Sequence, residues 1–149
     1  MAGWALLGGD LQPTALAWHE MGRWRFGWAE GSLRAVHADG VEVVRGIEFL
    51  VRDADWGTLP SRLVAQQATR DADTLRLRFE ATIGEGRLIC HGAVEARGST
   101  LDVSVEAAVT GALDTNRTGF VVLHPLAGFS GARVIAEGPG QAPAAGNRS

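Results

Sequence analysis

Lysine and tyrosine are both absent from this sequence, and cysteine occurs once. All 14 basic residues are arginine, which reads first as a compositional bias and only second as a functional choice. A lone Cys90 excludes an intrachain disulfide, and with it a secreted scaffold built on disulfides. Its setting, Leu88-Ile89-Cys90-His91, predicts a small buried hydrophobe. A reactive thiol needs an exposed, electropositive environment that this stretch does not supply.

Positive charge is in short supply too. A net charge of −3 and a pI near 5.8 argue against a nucleic-acid partner. No segment approaches the ~20 apolar residues that span a bilayer, so no membrane partner is expected. The opening MAGWALLGGDLQPTALAWHE lacks the basic start and apolar core of a signal peptide, and a cytoplasmic location is the simplest expectation. Without a secretion signal, the sequons Asn116-Arg117-Thr118 and Asn147-Arg148-Ser149 carry no weight. There is no G-x-S-x-G nucleophile elbow and no phosphate-binding glycine loop. His19, His37 and His91 share no ligand-like spacing, so neither a metal nor a cofactor is expected.

What remains is the composition of an ordinary globular domain, 46% hydrophobic and 21% charged over 149 residues, enough for one core without staples. Residues 1–22 read as an N-terminal extension broken by Gly8-Gly9-Asp10 and Pro13, with one short helical turn within Thr14–Glu20. From Arg23 the period changes to two. Trp24, Phe26 and Trp28 alternate with Arg25 and Gly27, the mark of a strand with one buried face. Glu30-Gly31-Ser32 turns the chain into a strand over Leu33–His37, and Asp39-Gly40 is a strong hairpin signal. The following strand, Val41–Val51, contains Gly46, which predicts a bulge or bend.

A meander follows: Leu75–Ile83, Arg87–Ala96 and Leu101–Val109, preceded by a further strand over Leu63–Ala68. In the first of these, Leu75, Leu77, Phe79 and Ala81 alternate with Arg76, Arg78 and Glu80, as expected of a sheet packed on one face. Arg133–Ala136 is a last short strand, and residues 137–149 read as a flexible Gly/Pro/Ala tail. About eight short strands without a repeat or a long amphipathic helix predict an all-β antiparallel β-sandwich, or a half-open barrel, over residues 23–136.

Two stretches concentrate the polar chemistry. Asn116-Arg117-Thr118-Gly119-Phe120-Val121-Val122-Leu123-His124-Pro125 is an apolar strand with polar groups at both mouths. Arg52-Asp53-Ala54-Asp55-Trp56-Gly57-Thr58 is a polar corner with two carboxylates and an aromatic plate suited to stacking on a sugar. Paired carboxylates fit acid–base hydrolysis, and equally the structural turns that Asp residues build. Arg117 is placed either to clamp a ligand carboxylate or to pin Asp53 or Asp55 across the sheet. His124 is either a contact for a sugar or lactone oxygen or a strand-end cap beside Pro125. Trp4, Trp18, Trp24 and Trp28 form either a core cluster or an exposed docking face.

The Asn116–Pro125 string, together with Gly40–Thr58, resembles the N-terminal region of the D-apionate lactonase family of bacterial sugar catabolism. The resemblance spans roughly Leu33–Leu126. It implies a supersandwich-like fold and an association with the opening of apionolactone to apionate. Members of that family continue into what looks like a glycosidase-style (β/α) barrel, which needs roughly 250 residues. This chain cannot contain one, so the resemblance implies an accessory domain that is inactive alone. Its partner would be a catalytic barrel, in the same or another chain, and its ligand a sugar acid or lactone. No catalytic residue is carried over. Substrate-binding candidates are Asn116, Arg117, His124, Asp53, Asp55 and Trp56; the other reading is a non-enzymatic sugar-acid-binding or interaction module.

Overall fold

Strand-forming patterns dominate the chain, and among the described residues the computed structural model contains strands joined by turns and irregular segments, with no helix. It describes residues 3–7, 10–14, 16–139 and 144–147, with side chains over 16–139. The Gly8-Gly9 break, the Trp4 side chain, tail residues 140–143, and Arg148 and Ser149 lie outside the described residues.

In chain order the strands are β1 (Gly3–Leu7), β2 (Asp10–Thr14), β3 (Ala17–Met21), β4 (Trp24–Ala29), β5 (Ser32–Ala38) and β6 (Val41–Arg52). There follow β7 (Ser61–Arg70), β8 (Thr74–Ile83), β9 (Leu88–Arg97), β10 (Thr100–Val109), β11 (Arg117–Leu123), β12 (Arg133–Ala136) and β13 (Ala144–Asn147). Two sheets carry the fold: five strands in the order β11-β6-β5-β4-β3, and four in the order β10-β9-β8-β7. Every described pairing is antiparallel. The chain builds β3 to β6 as a meander, crosses to lay down β7 to β10, and returns to place β11 beside β6. The remaining strands form two hairpins, β1 with β2 and β12 with β13. Strand β12 is the short one expected at Arg133–Ala136, while β13 falls within the stretch expected as tail.

The hairpin turns follow the sequence chemistry. Asp39 and Gly40 join β5 to β6 with φ of 50° and 81°, and Glu30 and Gly31 join β4 to β5 with φ of 48° and 84°. Left-handed conformations at both central residues match the right-handed twist of the flanking strands.

Two expectations need correction. Thr14–Glu20 holds no helical turn: Thr14 ends β2, and Ala17–Met21 pairs residue by residue with β4, from Ala17↔Trp28 to Met21↔Trp24. Pairing with β4 outweighs a local helical preference, and the five-stranded sheet starts ahead of Arg23. Nor does Gly46 mark a bulge. It pairs in register with Arg34 on one side and Leu123 on the other. The register slips elsewhere, in β5 between Arg34 and His37 and in β6 at Val43. Ala35, at φ 46°, absorbs the first slip, and its carbonyl oxygen accepts a 2.7 Å hydrogen bond from His37 Nδ1. Gly46 leaves room for Arg34: a Cβ there would stand 2.9 Å from a guanidinium nitrogen, and the arginine would have to shift.

Alternation places the core as expected. Phe26, Trp28, Leu33 and Val36 of the five-stranded sheet meet Leu75, Leu77, Phe79, Ala81, Val94 and Ala96 of the other. A smaller cluster joins Val51, Ile83, Leu88 and Cys90. Fully burying each large side chain contributes about 1.5–3 kcal/mol. Polar tips near this core find partners across the gap: Trp28 Nε1 donates to Gln66 Oε1 at 2.8 Å, and Trp24 Nε1 to the Gly98 carbonyl at 3.1 Å. Arg70 reaches the backbone carbonyl of Glu20. These bonds hold β3 and β4 to the edge and turns of the second sheet. Trp24 and Trp28 are thus core residues, while Trp18 lies at the surface under the Arg25 guanidinium, 3.9 Å from its ring centroid.

Candidate functional site

The polar corner forms where β6 runs out. Asp53 Oδ1 accepts hydrogen bonds from the backbone N–H of Asp55 at 2.9 Å and of Gly57 at 2.8 Å. The Asp53 N–H donates to the Gly57 carbonyl at 2.9 Å, and the Trp56 N–H to the Asp53 carbonyl at 3.1 Å. Five residues are thereby tied into one tight loop, as an aspartate turn does. Gly57 suits it, because a Cβ would lie 2.6 Å from Asp53 Oδ2 and push the carboxylate out of its place. The loop forces Trp56 to φ 66°, a conformation costly for a bulky residue, and leaves its ring 56% exposed. A bridge between Arg52 and Thr58 closes the corner, with Arg52 donating to the Thr58 hydroxyl and to the Trp56 carbonyl.

β11 brings the second candidate stretch alongside. Arg117 pairs directly with Arg52, and the Asn116 N–H donates to the Arg52 carbonyl at 2.9 Å. The Arg117 guanidinium lies 5.4 Å from the Trp56 ring centroid, a cation–π contact. Arg117 therefore packs on Trp56, and among the described residues no ion pair joins it to Asp53 or Asp55. Asn116, Arg117, Asp53, Asp55 and Trp56 form one corner, with two arginines side by side and an exposed aromatic plate.

His124 does not join them. It follows Leu123, which pairs with Gly46 at the opposite end of β11, and seven residues of strand separate it from Arg117 by roughly 23 Å. There its ring stacks on Phe129, with centroids 5.0 Å apart and planes 22° from parallel. A carboxylate–histidine pair made from Asp53 or Asp55 with His124 is outside proton-transfer reach.

Sequence reasoning missed a cleft of about 890 Å³ between the sheets, lined by Ser32, Arg34, Glu48, Thr58, Phe79 and Val105 among others. Arg34 and Glu48 form a 3.4 Å ion pair on its wall. The signal was Gly46, whose missing side chain makes room for Arg34. Thr58, which anchors Arg52, borders this cleft as well.

Among the described residues, no group of three or more His, Cys, Asp or Glu is arranged to hold a metal ion. Likewise, no described helix is long and apolar enough to cross a membrane. Burial pushes the Cys90 thiol above its ordinary range, which fits the inert hydrophobe expected of it.

The family model described as "D-apionate lactonase, N-terminal domain" matches residues 5–146. The chain belongs to this family. A D-apionate lactonase from Brucella anthropi is 35% identical over 113 residues, covering 72% of this chain and 18% of that protein. The chain thus spans less than a fifth of the length of the curated relative it matches. No solved structure matches it. Membership accords with the resemblance carried by Gly40–Thr58 and Asn116–Pro125, and these two stretches are what β6 and β11 bring side by side.

Proposed function

We propose that this domain is the accessory, non-catalytic N-terminal sandwich of a sugar-lactone hydrolase of the D-apionate lactonase type. It works in bacterial, cytoplasmic carbohydrate catabolism, beside a catalytic part that opens the lactone. The observation that carries this reading is the commitment of the corner's chemistry to structure. The Asp53 carboxylate holds the loop backbone, Arg52 closes the corner, and His124 sits stacked at the far end of β11. A groove able to hydrolyse an ester needs a base within about 3 Å of its target, and these groups do other work. Adding the chain to a D-apionate lactonase deprived of its own N-terminal region is expected to restore lactone opening. Turnover by the chain alone would contradict the reading.

A second reading, a sugar-acid contact made by the domain itself, is favoured by the Trp56–Arg117 corner. An exposed indole offers a stacking face to a sugar, and neighbouring Arg117 offers a planar donor pair to a carboxylate. With Asn116 and Asp55 at its rim, the corner fits an aldonic acid or its lactone. Titration with D-apionate followed by tryptophan fluorescence is expected to show saturable quenching, lost in Trp56→Ala and weakened at least tenfold in Arg117→Ala. Quenching that survives Trp56→Ala would place the ligand elsewhere.

A further inference from the structure

Strand β11 does not have the composition of an edge. Phe120, Val121, Val122 and Leu123 are consecutive, and each is between 37% and 51% exposed. Successive residues of a strand point to opposite faces, so both faces of β11 are apolar and both are partly open to solvent. A continuous apolar run of this kind belongs to strands buried on both sides. The edges of the four-stranded sheet differ. β10 alternates Leu101, Val103 and Val105 with Asp102, Ser104 and Glu106, and β7 carries Arg62, Gln66, Gln67 and Arg70.

Natural edge strands are protected by charge, proline or bulges that discourage further pairing. Within Thr118–Leu123 there is neither a charge nor a proline, and the pairing with β6 runs without a slip from Arg117↔Arg52 to Leu123↔Gly46. Phe120 extends the core face, edge-on to Phe49 at 5.6 Å, yet stays partly open to solvent. Further along the chain, Leu126, Phe129, Val134 and Ile135 are exposed apolar residues as well.

We propose that β11 is an interior strand of the working assembly. Its free edge is paired by an extended apolar segment from the part of a D-apionate lactonase that this chain does not span, and the layers flanking that segment cover its faces. That part is about four-fifths of the Brucella anthropi relative, and an alternating apolar strand is the chemistry that completes β11. The inference rests on the accessory-domain reading and adds the surface through which it acts.

The test co-expresses the full 149-residue chain with the Brucella anthropi lactonase lacking its matched N-terminal region, using that region itself as positive control. Co-purification is expected, with amide exchange across β11 slowed at least tenfold relative to the chain alone. Val122→Lys, at an exposed position, is expected to keep the melting profile of the lone chain and to cut co-purification at least tenfold. Co-purification with β11 exchange unchanged and Val122→Lys without effect overturns the proposed surface while leaving the accessory-domain reading intact. Failure to co-purify when the control succeeds overturns both. In the lone chain, the outward amides of β11 are expected to exchange freely; concentration-dependent protection there would make a second copy the occupant and overturn the proposal.

Discussion

Replacing Gly92 with alanine would drive a methyl group into the ring of Phe79. The two residues are directly opposed across β8 and β9, and the outer end of the ring covers the glycine. A Cβ at Gly92 would stand 2.0 Å from Phe79 Cζ and 2.1 Å from Cε1, far inside the ~3.5–4.0 Å of a favourable carbon contact. The glycine cannot yield, because β9 is held on both sides by β8 and β10, so the ring must leave. Phe79 is only 9% exposed and packs against Trp28 at a centroid distance of 5.2 Å. Losing most of its burial costs about 1.5–3 kcal/mol, and losing the aromatic pair about 0.5–1.5 kcal/mol more. A destabilisation of about 2–4 kcal/mol corresponds to a fall in Tm of about 5–12 °C for a chain of this size. Urea unfolding followed by tryptophan fluorescence reads it directly, as a lower midpoint at unchanged slope. Phe79→Leu in the same chain is expected to recover part of the loss, since contacting residues are not additive. A Gly92→Ala variant whose Tm stays within about 1 °C of the parent would refute the account of this core.

Asp53→Ala removes the acceptor for two loop N–H groups and is expected to cost about 1–2 kcal/mol by the same assay. It should also raise the rotational freedom of Trp56, read as lower fluorescence anisotropy in a variant retaining Trp56 as its sole tryptophan. His19 is held below its ordinary pKa of 6.5 by burial and then by the Arg70 charge, so the folded state favours its neutral ring. That contribution is fully present above pH 6.5 and is lost as pH falls through the lowered folded value. Stability should therefore decline on acidification from pH 7.5, and His19→Gln should flatten that slope. Cys90 should resist a thiol reagent in the native chain and react on unfolding, so rapid native labelling would show that this part of the core opens.

Much of this fold was legible because the deciding forces were local. The two-residue turns at Glu30-Gly31 and Asp39-Gly40 need left-handed residues, and the alternation in β8 places Leu75, Leu77, Phe79 and Ala81 inward without reference to the rest of the chain. What escaped notice was set by pairing. β3 looked helical because its strand character comes from β4. The slips at Ala35 and Val43 exist only in register between neighbours, so composition does not mark them. The site was half legible for a similar reason. Arg117 and Asp53 lie far apart in sequence, yet the β11–β6 register brings their segments together and sends His124, only seven residues beyond Arg117, to the opposite end. That Arg117 packs on Trp56 is set by the folded corner and is invisible in composition.

The accessory-domain account is tested most directly by lactone opening in the co-expressed pair. Proton release from D-apionolactone should be at background with the 149-residue chain alone, even at high concentration. It should appear when the chain accompanies a lactonase lacking its own N-terminal region. Saturable turnover by the isolated chain, abolished by Asp55→Asn, would contradict the account and make this domain an enzyme in its own right.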